Sequence, residues 1–149
     1  MIKHLSKSLI DTNLIAGEIL VELEKKANQD GATILLLEGD LGSGKTAFTQ
    51  ALAGRLGVTE NVNSPTFVLM KSYHTKHAKF KKLVHLDAYR LDSGRDLERL
   101  GWNNLTTDSA NLIVLEWPER VEDLFNHTEF KLNFKFIDEI TREIDPSFN

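Results

Sequence analysis

The feature that most constrains this chain is the segment Gly39-Asp40-Leu41-Gly42-Ser43-Gly44-Lys45-Thr46, a complete G-x-x-x-x-G-K-T pattern. Glycine has no Cβ, so a glycine-rich turn lets backbone N–H groups curl around an anion. Lys45 is then expected to reach the β and γ phosphates of a nucleotide, and the Thr46 hydroxyl to face Mg²⁺. The pattern predicts a phosphate-binding loop.

The flanking sequence favours this interpretation over an ordinary strand-to-helix turn. Residues 33–37 form a continuous apolar run, which is typical of a parallel strand buried on both faces. After the loop, apolar residues recur at helical spacing until Gly57, a residue that commonly ends a helix: Ala47, Phe48, Ala51, Leu52 and Leu56. Strand, loop and helix follow in the order that phosphate binding requires.

Length and composition predict one domain covering residues 1–149, because 149 residues with 41% hydrophobic content can bury a single sizeable core. No apolar stretch approaches the roughly 18 residues of a membrane span, and residues 1–4 lack the apolar segment of a signal peptide. We therefore expect a cytoplasmic protein that does not contact a membrane. The chain has no cysteine, which excludes disulfides and thiolate chemistry.

Charge is distributed unevenly along the chain. The formal net charge is -4, yet residues 71–82 contain five lysines, two histidines and no acid. Such a run is more typical of a solvated hairpin tip, and a contact for RNA or an acidic partner is the alternative. The run alone does not decide between the two.

Hydrophobic periodicity predicts the remaining elements. A helix is expected from about Ser8 or Asp11, antiparallel strands over 67–73 and 81–88, a short helix over 96–100, a buried strand over 112–116 and a short acidic helix to about residue 124. Residues 130–136 alternate between apolar and polar, which we interpret as a strand at a sheet edge, with 140–144 pairing against it. The expected architecture is a three-layer α/β P-loop NTPase fold, with a mixed sheet and antiparallel strands at its edge.

Two carboxylates end apolar runs and are candidates for the chemistry. Asp87 closes 83–87 and Glu116 closes 112–116. Open α/β sheets bind ligands at the carboxyl ends of their strands, where a P-loop enzyme needs an acid for Mg²⁺ or for water. Acids at a strand end reaching solvent are also ordinary, and spacing does not show which carboxylate would bind the metal.

Other polar residues have two interpretations each. Thr66 is either a switch-type threonine that senses the γ-phosphate or the first residue of a strand. Arg90 is either a source of positive charge for the transition state or a surface arginine. His85 is expected to be a core histidine rather than a catalyst, and Trp117 a core residue rather than a base-stacking platform.

Taken in order, four motifs resemble the TsaE (YjeE) family: residues 39–46, then Ser64-Pro65-Thr66-Phe67, then His85-Leu86-Asp87-Ala88-Tyr89-Arg90-Leu91, then Leu115-Glu116-Trp117-Pro118-Glu119. The resemblance covers about residues 8–120. It implies the ATPase component of bacterial tRNA threonylcarbamoyladenosine synthesis, which works with TsaD and TsaB and supports turnover by that pair.

The resemblance also implies roles for individual residues. Those expected to bind ATP are Asn13, Gly39, Leu41, Gly42, Ser43, Gly44, Lys45, Thr46 and Ala47. Thr46 and Glu116 are expected to serve Mg²⁺, with Asp87 as a further metal candidate. Asp87, Glu116, Lys45 and Thr66 are expected to act in hydrolysis. The family usually has a threonine where Asn13 stands, and Thr12 is adjacent.

Two other functions are compatible with a phosphate-binding loop. A small P-loop kinase acting on a metabolite needs an arginine-rich lid, for which Arg90, Arg95 and Arg99 are the clustered candidates. A GTP switch is disfavoured because the chain has no Asn-Lys-x-Asp motif.

Overall fold

The computed structural model describes residues 2–27, 30–63 and 69–148. Its strands are β1 (His4–Ser6), β2 (Thr33–Glu38), β3 (Met70–His74), β4 (Lys82–Asp87), β5 (Asn111–Glu116), β6 (Phe130–Phe136) and β7 (Arg142–Phe148). Its helices are α1 (Leu9–Lys25), α2 (Lys45–Arg55), α3 (Gly94–Arg99) and α4 (Trp102–Thr106), followed by a 3₁₀ segment, Pro118–Leu124. The predicted site residue Thr66 and the first two residues of the predicted strand 67–73 lie outside the described residues.

The strands form a mixed sheet in the order β1-β7-β6-β2-β5-β4-β3. The central neighbours β4, β5, β2 and β6 run parallel, while β3 at one margin and the β7–β1 pair at the other are antiparallel. This arrangement confirms the prediction of a mixed sheet with antiparallel strands at its edge. The parallel strands bring the ends of β2, β4 and β5 to one edge of the sheet.

Helical segments cover both faces of the sheet. On one face α1 and α2 pack on Leu35, Leu37, Leu83 and Val114. On the other face, α3, α4 and the 3₁₀ segment bury Leu97, Trp102 and Val121 against Leu36, Val84, Leu86, Ile113 and Leu115. Alternate residues of the central strands therefore belong to different cores, which explains why β2 and β5 are apolar almost throughout. The three-layer prediction is confirmed.

The interpretation of residues 130–136 as an edge strand was wrong. β6 pairs with β2 on one side and with β7 on the other. Its Phe130, Leu132 and Phe134 are buried, whereas Lys131 is only partly buried and forms an ion pair with Glu38 at 2.7 Å. Alternation reports that only one face of a strand is covered, and it carries no information on whether both edges are paired.

The basic segment 71–82 forms β3, the start of β4 and the turn between them. The His77 ring packs this turn against α1, because its Nε2 lies 2.6 Å from Glu24 Oε1. His77 Nδ1 accepts hydrogen bonds from the N–H groups of Lys79 and Phe80, so Nε2 carries the hydrogen and donates to Glu24.

Within the described ranges, no helix combines the length and the apolar character needed to cross a membrane.

Helix α1 begins where the sequence predicts, and the contribution of its N-terminal cap to stability can be tested. Ser8 Oγ accepts a hydrogen bond from Asp11 N at 3.0 Å, whereas Ser93 precedes α3 without a capping bond from its side chain. We expect Ser8→Ala to lower the free energy of unfolding by about 1 kcal/mol. Ser93→Ala, the matched control, should change it by less than about 0.5 kcal/mol. Urea unfolding of the two variants measures the difference, and equal losses would contradict the capping role.

Candidate functional site

The loop between β2 and α2 requires glycine at two points. Gly39 has a φ of 148°, and a Cβ there would lie 2.6 Å from the carbonyl oxygen of Phe134, closer than real Cβ contacts. Gly44 has a φ of 106° and immediately precedes the first residue of α2. Larger side chains would force the loop away from β6 or strain the start of the helix. The loop can therefore lie against the sheet with the N-terminus of α2 facing the same edge.

Lys45, the first residue of α2, is buried. Its ammonium donates to the carbonyl oxygen of Gly39 and lies 4.2 Å from the centroid of the Trp117 ring. Burial lowers the pKa of Lys45, while Glu116, Glu119, Asp87 and Asp40 raise it in part. The loop thus concentrates a poorly hydrated cation among carboxylates, and a phosphate group would give that cation a direct counter-charge.

Asp87 and Glu116 are brought together by the parallel pairing of β4 and β5. They are opposite each other in the register, and both are buried, at 5% and 4% exposure. Glu116 follows Val114 by two residues, so it shares the sheet face on which α1 and α2 pack. Asp87 Oδ1 accepts a hydrogen bond from Tyr89 N at 2.9 Å. Two carboxylates therefore face the start of α2, as the strand-end pattern predicts.

These groups line one cavity of about 500 Å³. The predicted residues in its wall are Leu41, Gly42, Gly44, Lys45, Thr46, Ala47, Asp87 and Glu116. Gly39 and Ser43 lie within the loop rather than in the wall, and Ser43 Oγ is buried with no hydrogen-bond partner among the described residues. The structure thus brings the phosphate loop and both acids to a single site.

The contact predicted at Asn13 has a different candidate in the structure. Asn13 is exposed on α1 and is absent from the cavity wall, whereas the adjacent Thr12 lines the cavity. Thr12 is 8% exposed, and its Oγ1 lies 2.6 Å from Ser6 Oγ. This geometry favours Thr12 over Asn13 as the residue of α1 that faces a ligand.

Sequence reasoning missed the contribution of the β6–β7 hairpin. Phe134, Glu139, Ile140, Arg142 and Ile144 all line the cavity, although residues after Arg120 carry no recognisable motif. Arg142 Nε donates to the carbonyl oxygen of Gly42 at 3.0 Å and so braces the phosphate loop. The alternating pattern of 130–136 predicts a strand, but no local signal shows which strand or loop its hairpin contacts.

Trp117 lines the cavity, whereas the sequence predicts only a core residue at this position. It has a left-handed backbone with a φ of 59°, uncommon for a residue with a side chain, and directly follows Glu116. Its ring packs on Lys45 and on the Tyr89 ring, with centroids 4.9 Å apart, and Arg120 lies 5.5 Å from the Tyr89 centroid. The Trp117 ring thus contacts the cation in the site, and the Tyr89 ring beside it contacts a second cation, Arg120.

The arginines considered for a kinase lid are not placed around this cavity. Arg90, Arg95 and Arg99 do not line it, and Arg99 contacts Asp96 at 3.9 Å within α3. Helix α3 packs on the opposite face of the sheet from α2. The described residues therefore provide no arginine-rich lid over the phosphate loop.

Comparison with known proteins identifies the family. The profile described as "Threonylcarbamoyl adenosine biosynthesis protein TsaE" matches residues 7–144. The chain belongs to the TsaE family. The match includes the β6–β7 hairpin as far as Ile144, so the family pattern extends beyond the motifs that suggested it.

Individual relatives and a solved structure agree with this membership. Proteins named "tRNA threonylcarbamoyladenosine biosynthesis protein TsaE" are 32% identical in Haemophilus influenzae, 42% in Streptomyces coelicolor and 31% in Treponema pallidum. The alignments cover 83%, 68% and 93% of this chain and 75%, 66% and 95% of those relatives. The crystal structure of YdiB from Bacillus subtilis superposes with a TM-score of 0.73 at 26% identity, over 99% of this chain and 87% of YdiB.

The Lys45–Trp117 contact makes ligand binding observable. A phosphate group competes with the indole ring for the Lys45 ammonium, so adding ATP should change the tryptophan fluorescence. The other tryptophan, Trp102, is buried on the opposite face of the sheet and serves as the control. We expect Trp102→Phe to keep the fluorescence response and Trp117→Phe to lose it. A response that follows Trp102 instead would show that the ring over Lys45 does not report the ligand.

Proposed function

We propose that this protein is a single-domain, Mg²⁺-dependent ATPase that supports tRNA N6-threonylcarbamoyladenosine modification by TsaD and TsaB in the cytoplasm. The observation that carries the proposal is the convergence of Lys45, Thr46, Asp87 and Glu116 on one cavity of about 500 Å³. Membership in the TsaE family supports the pathway, because the relatives are named for threonylcarbamoyladenosine biosynthesis. ATP is preferred to GTP because the sequence lacks a guanine-recognition motif.

The loop and Lys45 bind the phosphates in this proposal. The N-terminus of α2 presents unpaired backbone N–H groups and the positive end of its dipole to an anion. The hydroxyl of Ser43, which has no partner in the part of the chain that the structure describes, offers one more donor inside the loop. Lys45 exchanges its contacts with Gly39 and Trp117 for the β and γ phosphates. These interactions bind ATP in its ground state, before the bond to the γ-phosphate breaks.

The residues of the site suit Mg²⁺, which prefers oxygen ligands and usually binds through one or two carboxylates together with substrate phosphates. Thr46 and Glu116 offer a hydroxyl and a carboxylate in the same wall. In the described parts of the chain, no group of three or more acidic or histidine side chains is arranged so that it could hold a metal ion by itself. We therefore infer that Thr46 and Glu116 hold Mg²⁺ jointly with the phosphates of ATP. When bound, the ion neutralises charge that develops on the phosphates.

Asp87 is proposed to orient the attacking water. It lies beside Glu116 at the strand ends, and the Tyr89 N–H fixes one of its oxygens. A carboxylate so fixed accepts a hydrogen bond from water and holds it in line with the γ-phosphate. Thr66, which lies outside the described residues, remains a proposed sensor of that phosphate. In this proposal Glu116 binds the metal, and Asp87 orients the attacking water.

The proposal is tested by measuring ATP hydrolysis and tRNA threonylcarbamoylation over many turnovers, with the protein alone and with TsaD and TsaB. We expect weak hydrolysis by the protein alone, stimulation by the partners and sustained modification only when ATP is hydrolysed. Lys45→Ala should abolish all three effects. A phosphorylated metabolite as product, or a strong preference for GTP, would contradict the proposal.

Variants of Lys45 and of the two acids should separate binding from hydrolysis. At ATP near 100 times its Kd, binding stabilises the parent by about 2.7 kcal/mol, so ATP should raise the Tm of the parent but not that of Lys45→Ala. Asp87→Asn and Glu116→Gln should retain a Tm shift while kcat falls about 100-fold or more. Thermal unfolding with ATP and steady-state kinetics measure the two effects. Parent-like kcat in both acid variants, with partners present, would refute the assignment of the site.

A further inference from the structure

His85 has no part in the mechanism proposed above, yet it contacts the site directly. Its side chain is fully buried on β4, and its Nε2 lies 2.6 Å from Glu116 Oε2. A carboxylate that holds a metal ion is ionised and can only accept hydrogen bonds, so in that state the hydrogen in this contact belongs to Nε2. His85 therefore donates to one oxygen of Glu116 and leaves the other, Oε1, outside the contact.

The register of the sheet explains why the two side chains meet. His85 is opposite Val114, and Asp87 is opposite Glu116, in the parallel pairing of β4 and β5. Residues two apart on a strand share a face, so His85, Asp87 and Glu116 all face the α1–α2 layer. Because the backbones of both strands are held by the ladder, the hydrogen bond restrains the side-chain rotamer of Glu116.

A core role alone does not account for His85. Its Nδ1 is buried and has no hydrogen-bond partner among the described residues. A buried polar atom without a partner costs free energy, whereas an apolar side chain of similar size would avoid that cost. The hydrogen bond that offsets the cost of burying the imidazole is the one to Glu116, a carboxylate of the site.

We propose that His85 is a positioning residue that orients Glu116 for Mg²⁺. By donating to Oε2, it holds the carboxylate so that Oε1 serves the cation that accompanies ATP. Outer hydrogen-bond partners of metal-binding carboxylates set ligand orientation, and their loss typically lowers metal affinity or activity about 10-fold to 100-fold. This inference rests on the proposed function, since it assumes that Glu116 holds Mg²⁺.

The test measures ATP affinity by isothermal titration calorimetry, once with Mg²⁺ and once with EDTA. The quantity compared between variants is the factor by which Mg²⁺ increases that affinity. His85→Leu removes the donor at similar volume, and we expect it to reduce this factor about 10-fold while ATP affinity in EDTA stays at the parent value. His85→Gln can donate from its amide nitrogen and should restore most of the factor. Val114→Ala removes packing at the opposite position of β5 and, as the matched control, should leave the factor unchanged.

A second measurement asks whether His85 acts through Glu116. In a Glu116→Gln background, where the factor is already small, adding His85→Leu should cause no further loss. An additional loss of the same size in that background would overturn the inference, because it would show an effect independent of Glu116. Thermal unfolding of each variant shows whether it is folded at the temperature of titration.

The outcomes separate the two proposals. If Glu116→Gln loses the Mg²⁺ effect but His85→Leu keeps it, His85 is a core histidine and the positioning role is wrong, while the proposed function stands. If the parent binds ATP without any effect of Mg²⁺ and does not hydrolyse it, the proposed function fails and the positioning role fails with it. Loss in His85→Leu with recovery in His85→Gln supports the positioning role.

Discussion

The parallel pairing of β4 and β5 is the constraint on which the site depends. It places Asp87 opposite Glu116 at the strand ends, on the face where α2 begins. A slip of one residue would turn every side chain of one strand to the opposite face. Such a slip is disfavoured because it would exchange Leu83 and Val84 between two cores and would turn the buried His85 and Asp87 toward the apolar core of the opposite face. The geometry of the carboxylates is thus set by hydrophobic packing.

Electrostatic balance in the site follows from that geometry. Burial disfavours the charged form of Lys45, and the nearby carboxylates offset part of the penalty. The same carboxylates would repel a polyphosphate, so an arrangement with Lys45 alone would bind ATP poorly. In the proposed function, a divalent cation held by Glu116 would offset that repulsion, which would link the metal to nucleotide binding as well as to hydrolysis. On this proposal, the carboxylates and Lys45 would both suit the ligand only when ATP binds together with its metal.

The sequence predicted the parts of the molecule that are encoded locally. Strand, glycine loop and helix occupy one continuous segment, and Asp87 and Glu116 each end a buried run, so both could be recognised without tertiary information. The β6–β7 hairpin could not be placed in this way, because Arg142 reaches the loop across 100 residues of sequence. Helix α4 was also missed: its five residues are too few for a helical period to show. The pattern of β6 predicted its covered face correctly, but it gave no sign that β2, far away in sequence, pairs with the edge of β6 opposite β7.

His85 illustrates how a local rule can be sound and still incomplete. A histidine between apolar residues is usually part of a core, and His85 is indeed fully buried. Its hydrogen bond to Glu116 depends on how β4 pairs with β5. A short segment of sequence does not show that pairing. Among the described residues the second ring nitrogen has no hydrogen-bond partner, and an apolar side chain would fill the same space without leaving a polar atom unsatisfied. The free-energy cost is understandable if the contact fixes the orientation of Glu116, because rotation of that carboxylate would leave the metal without its ligand from β5.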